Sequence, residues 1–428
     1  MSVSAARSVA FDLLLRVETT EAYATELLHS ARAAALSPVD HGLATEIAMG
    51  VLRWRCALDD RIAAHLDKPF RKLDVEVITA LRMGAYQLLF LDRIPRHAAI
   101  HESVELIKKA RKRSAAGMVN AVLRKINPPA ASSPITAHPD WILKRWTASY
   151  GPKAVERICE YDQRAPETVL RADQALMKEL ESQGITLQPG KLLSKTHVVA
   201  SGDITRTRAF REKRLVIQDE ASQLVALLLA QGERILDCCA APGGKTRILA
   251  ERSPAAIVVA MELHPHRAQL LRRLVPAPNV HVIAADARTI PFQATFDRIL
   301  ADVPCTGTGT LARNPEIKWR LSPEDIDRMQ AYQLEILSAA MRQVARGGQL
   351  VYSSCSLEPE ENEAVIEQAL QASSYFHLRD MRDQLNKLGG EGALVCSPDS
   401  LVQGPYLRTI PGVHPSDGFF AALLEREM

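Results

Sequence analysis

The chain has 428 residues, of which 47% are hydrophobic and 24% charged, enough for two or three separate cores, because single cores seldom grow past about 250 to 300 residues. No run approaches the roughly 18 apolar residues of a membrane span, and the opening MSVSAARSVAFDLL lacks the apolar stretch of a secretion signal, so a soluble, cytoplasmic protein is expected. Net charge is only +3, and seven scattered cysteines show neither metal-ligand spacing nor a disulfide framework, which suits reduced thiols and excludes a cysteine-held metal.

The first 127 residues read as helix after helix, with Ala6, Val9, Leu13 and Leu14 at three- and four-residue spacing. Ser37, Pro38 and Asp40 make a helix start: an N-cap, a proline at the first helical position and an acid in the first turn. This segment carries 19 basic and 14 acidic side chains. Its basic run is Lys108, Lys109, Arg111, Lys112, Arg113, Arg124 and Lys125, with no acid between Lys108 and Lys125. Such a run suits a polyanion such as RNA, although a charge run taken singly is more often a solvated helix face.

The Pro-, Ala- and Ser-rich PPAASSPITAHPD, residues 128–140, marks a first boundary. A second block, 141–216, opens with the helical WILKRWTASYG and then alternates strand candidates ETVLRA and THVVA with the helical QALMKELESQG, the pattern of a small α+β domain. From residue 217 onward strands near 234–239, 256–262, 281–285, 298–303 and 349–354 alternate with helical stretches, which predicts a parallel, doubly wound sheet. The long helix before the fifth strand is expected to start at Ser322, Pro323 and Asp325 and to end at Gly347 and Gly348, with Leu334, Leu337, Met341 and Val344 facing the core.

The first of these strands runs into CCAAPGGKT. A Walker A loop would need glycine where Cys239 stands, and the dinucleotide fingerprint is absent. What remains is a turn at the carboxyl edge of a doubly wound sheet, where such sheets bind ligands. The second strand ends at Glu262, whose carboxylate could accept both hydroxyl protons of a ribose, and the third at Asp286, within reach of an adenine edge. Small residues Ala240, Ala241, Gly243 and Gly244 permit close backbone approach, and Lys245 would face a carboxylate. Together these describe S-adenosylmethionine, although each acid alone is as often a loop cap. His264 and His266 read as helix-start surface residues, not metal ligands.

The fourth strand runs into Asp302, Pro304 and Cys305, and the fifth into Cys355. Adjacent parallel strands would bring both thiols to one rim. A lone buried cysteine is usually an apolar filler, but two beside a methyl donor suggest pyrimidine chemistry. Carbon 5 of cytosine becomes nucleophilic only when a thiolate adds at carbon 6. The carbon 5 proton must then leave, which requires a second group as base or relay. Asp302 could hydrogen-bond the cytosine amino group and protonated ring nitrogen. Spacing leaves open which cysteine attacks.

These residues resemble the RsmB/NOP-type RNA cytosine-5 methyltransferases over most of the chain. The resemblance rests on CAAPGGK at 239–245, the carboxylates Glu262, Asp286 and Asp302, RNPEIKW at 313–319 and DGFF at 417–420. It implies that Cys239, Ala240, Ala241, Pro242, Gly243, Gly244, Lys245, Glu262, Asp286 and Asp302 hold S-adenosylmethionine, that Cys355 is the nucleophile and that Cys305 assists release. It also implies a NusB-like helical RNA-binding domain at 1–130, a linker helix with a small RRM-like α+β domain at 141–216 and a Rossmann-like methyltransferase domain at 217–428. Small-subunit 16S ribosomal RNA follows as substrate, with a monomeric protein and no membrane or metal partner. Ser354 and Val303 stand where threonine and alanine are usual in that family, and neither change removes a reactive group. Two other readings are a transfer RNA cytosine-5 methyltransferase and a non-catalytic ribosomal RNA-binding assembly factor.

Overall fold

The structure, a computed structural model, describes residues 3–67, 69–127 and 133–428. It separates into two compact units, Met1–Ala165 with Leu311–Arg320, and Pro166–Thr310 with Leu321–Met428. The first five residues of the Pro-, Ala- and Ser-rich boundary stretch, 128–132, lie outside the described residues.

The first unit is helical among its described residues. Its main helices are α1 (Ala5–Thr19), α2 (Pro38–Arg53), α3 (Arg55–Ala63), α4 (Val75–Phe90), α5 (Arg96–Lys109), α6 (Ala116–Lys125), α7 (Asp140–Tyr150) and α8 (Pro152–Asp162). Helix α2 starts as its sequence requires: Ser37 Oγ accepts from the Asp40 amide at 3.1 Å, satisfying one of the free donors of the first turn. Leu13, Leu14, Ile47, Leu52, Leu81 and Ile107 form its core. The segment Leu311–Arg320 packs with this unit although its chain neighbours on both sides belong to the other.

The second unit holds two sheets. The smaller is antiparallel in the order β2-β3-β1-β4, from β1 (Val169–Arg171), β2 (Thr186–Pro189), β3 (Thr196–Ser201) and β4 (Val216–Ile217). Helix α9 (Gln174–Ser182) buries Leu180 against Leu170, Ile185 and Ile204.

The larger sheet follows α10 (Glu220–Leu228). It comprises β5 (Arg234–Asp237), β6 (Ile257–Glu262), β7 (Val280–Ala284), β8 (Phe296–Asp302) and β9 (Val344–Ser354), parallel in the order β9-β8-β5-β6-β7. Alternate side chains enter opposite cores. Ile235, Val258, Leu300 and Val351 pack with α10, with α11 (Gly244–Arg252) and with α15 (Met381–Gly390). Leu236, Val259, Ile299 and Tyr352 pack with α13 (Pro323–Gln343) and α14 (Glu363–Gln371). Helix α12 (Pro265–Leu274) covers β6 and β7 through Ala268 and Leu271.

Two features differ from the sequence reading. Beyond β9 the sheet continues antiparallel through β13 (Phe419–Arg426), flanked by β10 (Phe376–Arg379) and by β12 (Tyr406–Thr409) with β11 (Val402–Gln403). Helix α13 starts at the expected capping box, with the Ser322 amide donating to Asp325 Oδ2 at 2.8 Å. It ends at Gln343, before the glycines, and Val344 already pairs with Phe296. Gly347, at φ 67°, lies within β9 where the pairing with β8 shifts register, so its left-handed freedom serves an irregular strand start, not a helix end.

Candidate active site

The turn Cys239–Lys245 joins β5 to α11 at the carboxyl edge of the parallel sheet. Gly243 sits at φ 116°, and a Cβ there would lie 2.6 Å from Leu271 Cδ1, so the turn follows this path only with glycine. Ala240 is buried and its amide donates to the Met261 carbonyl at 2.8 Å, binding the turn to β6.

Two cavities flank the turn and share Cys239, Ala241 and Asp302. One, of about 550 Å³, is lined by Glu262, Leu263, Ala287, Pro304 and Ile336. The other, of about 610 Å³, is lined by Phe210, Val216, Gln218, Pro242, Gly243 and Lys245. Glu262 is 5% exposed, and its Oε1 accepts from the His264 amide at 2.9 Å. A carboxylate at the end of β6, apolar walls beside it and a turn whose small residues bare the backbone fit a nucleoside carrying a short charged chain.

The remaining charged groups are engaged. The Asp286 carboxylate is gripped by Arg288, with Nη2 to Oδ2 at 2.7 Å, and this guanidinium holds it below the usual carboxylate range. Lys245 Nζ lies 2.8 Å from Asp302 Oδ2 and donates to Ser222 Oγ at 2.7 Å, so the carboxylate it faces is that of Asp302. Asp302 Oδ1 also accepts from Ser353 Oγ at 2.7 Å. Asp237, at the end of β5, is buried, accepts from Thr246 Oγ1 at 2.8 Å and is pushed up to about 7, chiefly by burial.

Cys305 follows β8 and Cys355 follows β9, and their Sγ atoms lie 3.0 Å apart. Both residues are half-buried free thiols. The hydrogen bond to Cys355 and then burial push the Cys305 thiol well above its ordinary range, so Cys305 keeps its proton. The two turns are laced together: the Gly309 amide donates to the Cys355 carbonyl at 2.9 Å, and Gly418 of the DGFF motif donates to the Gly309 carbonyl at 2.8 Å. A Cβ on Gly309 would stand 2.8 Å from that Cys355 oxygen, which explains a glycine there.

Several residues around the sulfurs were not singled out in the sequence. Glu361, Thr306, Ser356, Gln333 and Asn362 form a buried polar cluster directly behind them. Their one sequence signal is the acid-rich SLEPEENE that follows Cys355.

The RNPEIKW segment belongs to the helical unit, where it caps helix ends. Lys318 Nζ donates to the carbonyls of Arg53 and Ala137, each at 3.1 Å, and Trp319 Nε1 to the Leu52 carbonyl at 2.7 Å. Arg320 Nη2 donates to the carbonyls of Val17 and Ala22 at 2.7 Å. The Val17, Leu52 and Arg53 carbonyls are among those a helix leaves unpaired at its last turn, and Ala22 lies in the loop after α1.

In the same unit Lys108, Lys109, Arg111, Arg113, Arg124 and Lys125 are exposed and Lys112 is half-buried, at the ends of α5 and α6. Lys108 pairs with Glu105 at 2.6 Å and Lys112 with Asp74 at 2.9 Å, so part of the charge is answered by acids distant in sequence or just upstream. Among the described residues no helix is long and apolar enough to cross a membrane, and no group of three His, Cys, Asp or Glu side chains could hold a metal ion.

Comparison with known proteins agrees with this architecture. A family profile described as "16S rRNA methyltransferase RsmB/F" matches residues 224–425, one for the NusB family matches 4–128, and a ferredoxin-like domain of RsmF/B-like methyltransferases matches 138–200. A Bacillus subtilis (strain 168) protein named "Probable ribosomal RNA small subunit methyltransferase B" is 33% identical over 100% of both chains. The "Ribosomal RNA small subunit methyltransferase B" of Pseudomonas syringae pv. tomato is 35% identical over 90% of this chain and 89% of its own. A crystal structure of a methyltransferase homolog protein from Pyrococcus horikoshii aligns with a TM-score of 0.55 at 27% identity, over 68% of this chain and 95% of that one. With full-length relatives at this identity, and all three segments matched in the same order, the chain belongs to the RsmB/F family of 16S rRNA methyltransferases.

Proposed function

We propose that this protein transfers a methyl group from S-adenosylmethionine to carbon 5 of a cytosine in 16S ribosomal RNA, through a covalent bond between Cys355 and carbon 6. The observation that carries this reading is the pair of free sulfurs 3.0 Å apart, at a rim where Asp302 also lines a nucleoside-sized cavity. The names of the relatives supply the RNA substrate class. When bound beside Glu262 and the Cys239–Lys245 turn, S-adenosylmethionine supplies the electrophilic methyl group that carbon 5 receives.

The chain's own residues do the rest. Cys355 adds to carbon 6 as a thiolate, which pushes electron density onto carbon 5. Asp302, held by Lys245 and Ser353, accepts from the cytosine amino group and from the ring nitrogen, which takes a proton from solvent, and so holds the ring in the protonated form that receives the thiolate's electron pair. Cys305 keeps its proton in the resting site because its strongest perturbation is the hydrogen bond to Cys355. Once the Cys355 sulfur is bonded to carbon, that sulfur–sulfur hydrogen bond no longer exists, and the Cys305 thiol gives up its proton to solvent. The resulting thiolate takes the carbon 5 proton, and the Cys355–carbon 6 bond then breaks as the ring regains its double bond. A cytosolic monomer acting on RNA completes the reading.

Transfer of labelled methyl from S-adenosylmethionine to unmodified 16S RNA, followed by bisulfite mapping, tests it. Incorporation at one 16S cytosine is expected. Incorporation into transfer RNA alone, or none by folded protein, contradicts it.

A further inference from the structure

Behind the two sulfurs lies a carboxylate that the chemistry above does not use. Glu361 is fully buried. Its Oε2 accepts from the Thr306 amide at 2.9 Å and from Gln333 Nε2 at 2.8 Å. Its Oε1 accepts from Ser356 Oγ at 2.5 Å and from Thr306 Oγ1. Thr306 is the residue after Cys305, and Ser356 is the residue after Cys355. Gln333 Nε2 also donates to the carbonyl of Pro304, the residue before Cys305, at 2.8 Å. From the other side, the Tyr352 hydroxyl on β9 donates to the Glu361 carbonyl at 2.6 Å, which fixes the acid's own backbone.

Two features make this more than a satisfied buried acid. First, the Thr306 amide, Gln333 Nε2 and two hydroxyls meet its two oxygens, and such donors favour the ionised carboxylate against the burial that opposes it. Burial pushes Glu361 up, while the bonds from Ser356, Thr306 and Gln333 pull it back. Second, the turns it joins leave separate strands, β8 and β9, and a turn at a strand end is free to drift unless its polar groups are tied.

We infer that Glu361 is a positioning residue whose carboxylate ties together the residues following Cys305 and Cys355 and thereby sets the distance between the two sulfurs. This rests on the reading that those sulfurs do the chemistry, but the geometric claim stands apart from it. Glu361 also contributes negative charge that opposes ionisation of Cys305, so it serves both the placing of the thiols and the protonation of the resting one.

The test uses Glu361→Gln, Thr306→Val and Ser356→Ala in the full chain, with two readouts. Alkylation of each cysteine by iodoacetamide is followed against pH by mass spectrometry, without RNA or cofactor, and kcat and KM are measured for methyl transfer. In Glu361→Gln, Cys305 alkylation is expected to begin at lower pH than in the unsubstituted protein. The kcat is expected to fall about 10- to 100-fold, as for small misplacements of reacting groups, while KM for RNA stays within about twofold. Thr306→Val and Ser356→Ala are each expected to lower kcat less, and neither should add to the loss in Glu361→Gln, because the three act as one unit. An unchanged Cys305 profile in Glu361→Gln, or a raised KM at constant kcat, overturns the inference. Should Glu361→Gln fail to fold, unchanged Cys305 alkylation in both of the milder variants overturns it instead. If the unsubstituted protein methylates no RNA, the proposed function falls, and the alkylation profiles still decide the role of Glu361.

Discussion

At the scale of single residues, Asp237 shows how burial beside the Cys239–Lys245 turn couples to pH. One of its oxygens accepts from Thr246, and the other has no hydrogen-bond partner within 3.5 Å among the described residues. Burial and the nearby Asp302 charge raise it to about 7, from an ordinary 3.8. Between about pH 4 and 7 the folded protein therefore holds a proton that the unfolded chain has released. The contribution of this group is fully present below pH 4 and is lost as pH rises through 7. Asp237→Asn, measured without cofactor, should gain more thermal stability over the unsubstituted protein at pH 8 than at pH 5, by about 2–4 °C. An equal difference at both pH values would contradict the assignment. Asp237 was not singled out in the sequence, because what sets it apart from the other strand-end acids is its complete burial. Glu361 is hidden for the same reason. By contrast, Cys305 and Cys355 could be brought to one rim from sequence, since parallel neighbours end on the same edge.

At the scale of elements, capping chemistry was the most legible signal. Ser37 and Ser322 each start a helix where their spacing to Asp40 and Asp325 requires. The five parallel strands were legible because each is a short apolar run followed by a turn. The antiparallel strands β10 to β13 were not, since β11 to β13 do not alternate with helices as the parallel strands do and the pairing of β13 with β9 and β10 is long-range. The helical role of Leu311–Arg320 was equally hidden, because RNPEIKW carries no periodicity. Its key residue is Lys318, 1% exposed, whose ammonium is lowered to about 8 by burial and answers two backbone carbonyls. Lys318→Met removes a buried charge and takes a donor from both carbonyls, so it is expected to destabilise the helical unit by about 3 kcal/mol. Urea denaturation followed by helical circular dichroism measures this, and an unchanged midpoint would contradict the anchoring role.

At the scale of the whole molecule, charge is divided along the chain: residues 1–127 have a basic excess of five, and residues 217–428 an acidic excess of six. The three-part order of the fold class was legible from composition shifts, helical periodicity and strand alternation. The ion pairs that temper the basic run were not, because Asp74 lies on another element. Arg111, Arg113 and Arg124 are exposed and form no ion pair among the described residues. Reversing the charge of these three should weaken RNA binding and flatten its salt dependence, by about 0.7 to 0.9 in logarithmic slope for each phosphate no longer neutralised, with cofactor binding intact. Unchanged RNA affinity would make the patch a solvated face.

The central claim is that Cys355 bonds transiently to the target pyrimidine. Replacing the target cytosine of 16S RNA by 5-fluorocytosine blocks removal of the group on carbon 5, so in the presence of S-adenosylmethionine the bond should persist. A complex resistant to denaturation is predicted, linked through Cys355, retained in Cys305→Ala and lost in Cys355→Ala. Absence of any linked complex, or a link through Cys305, would contradict the account.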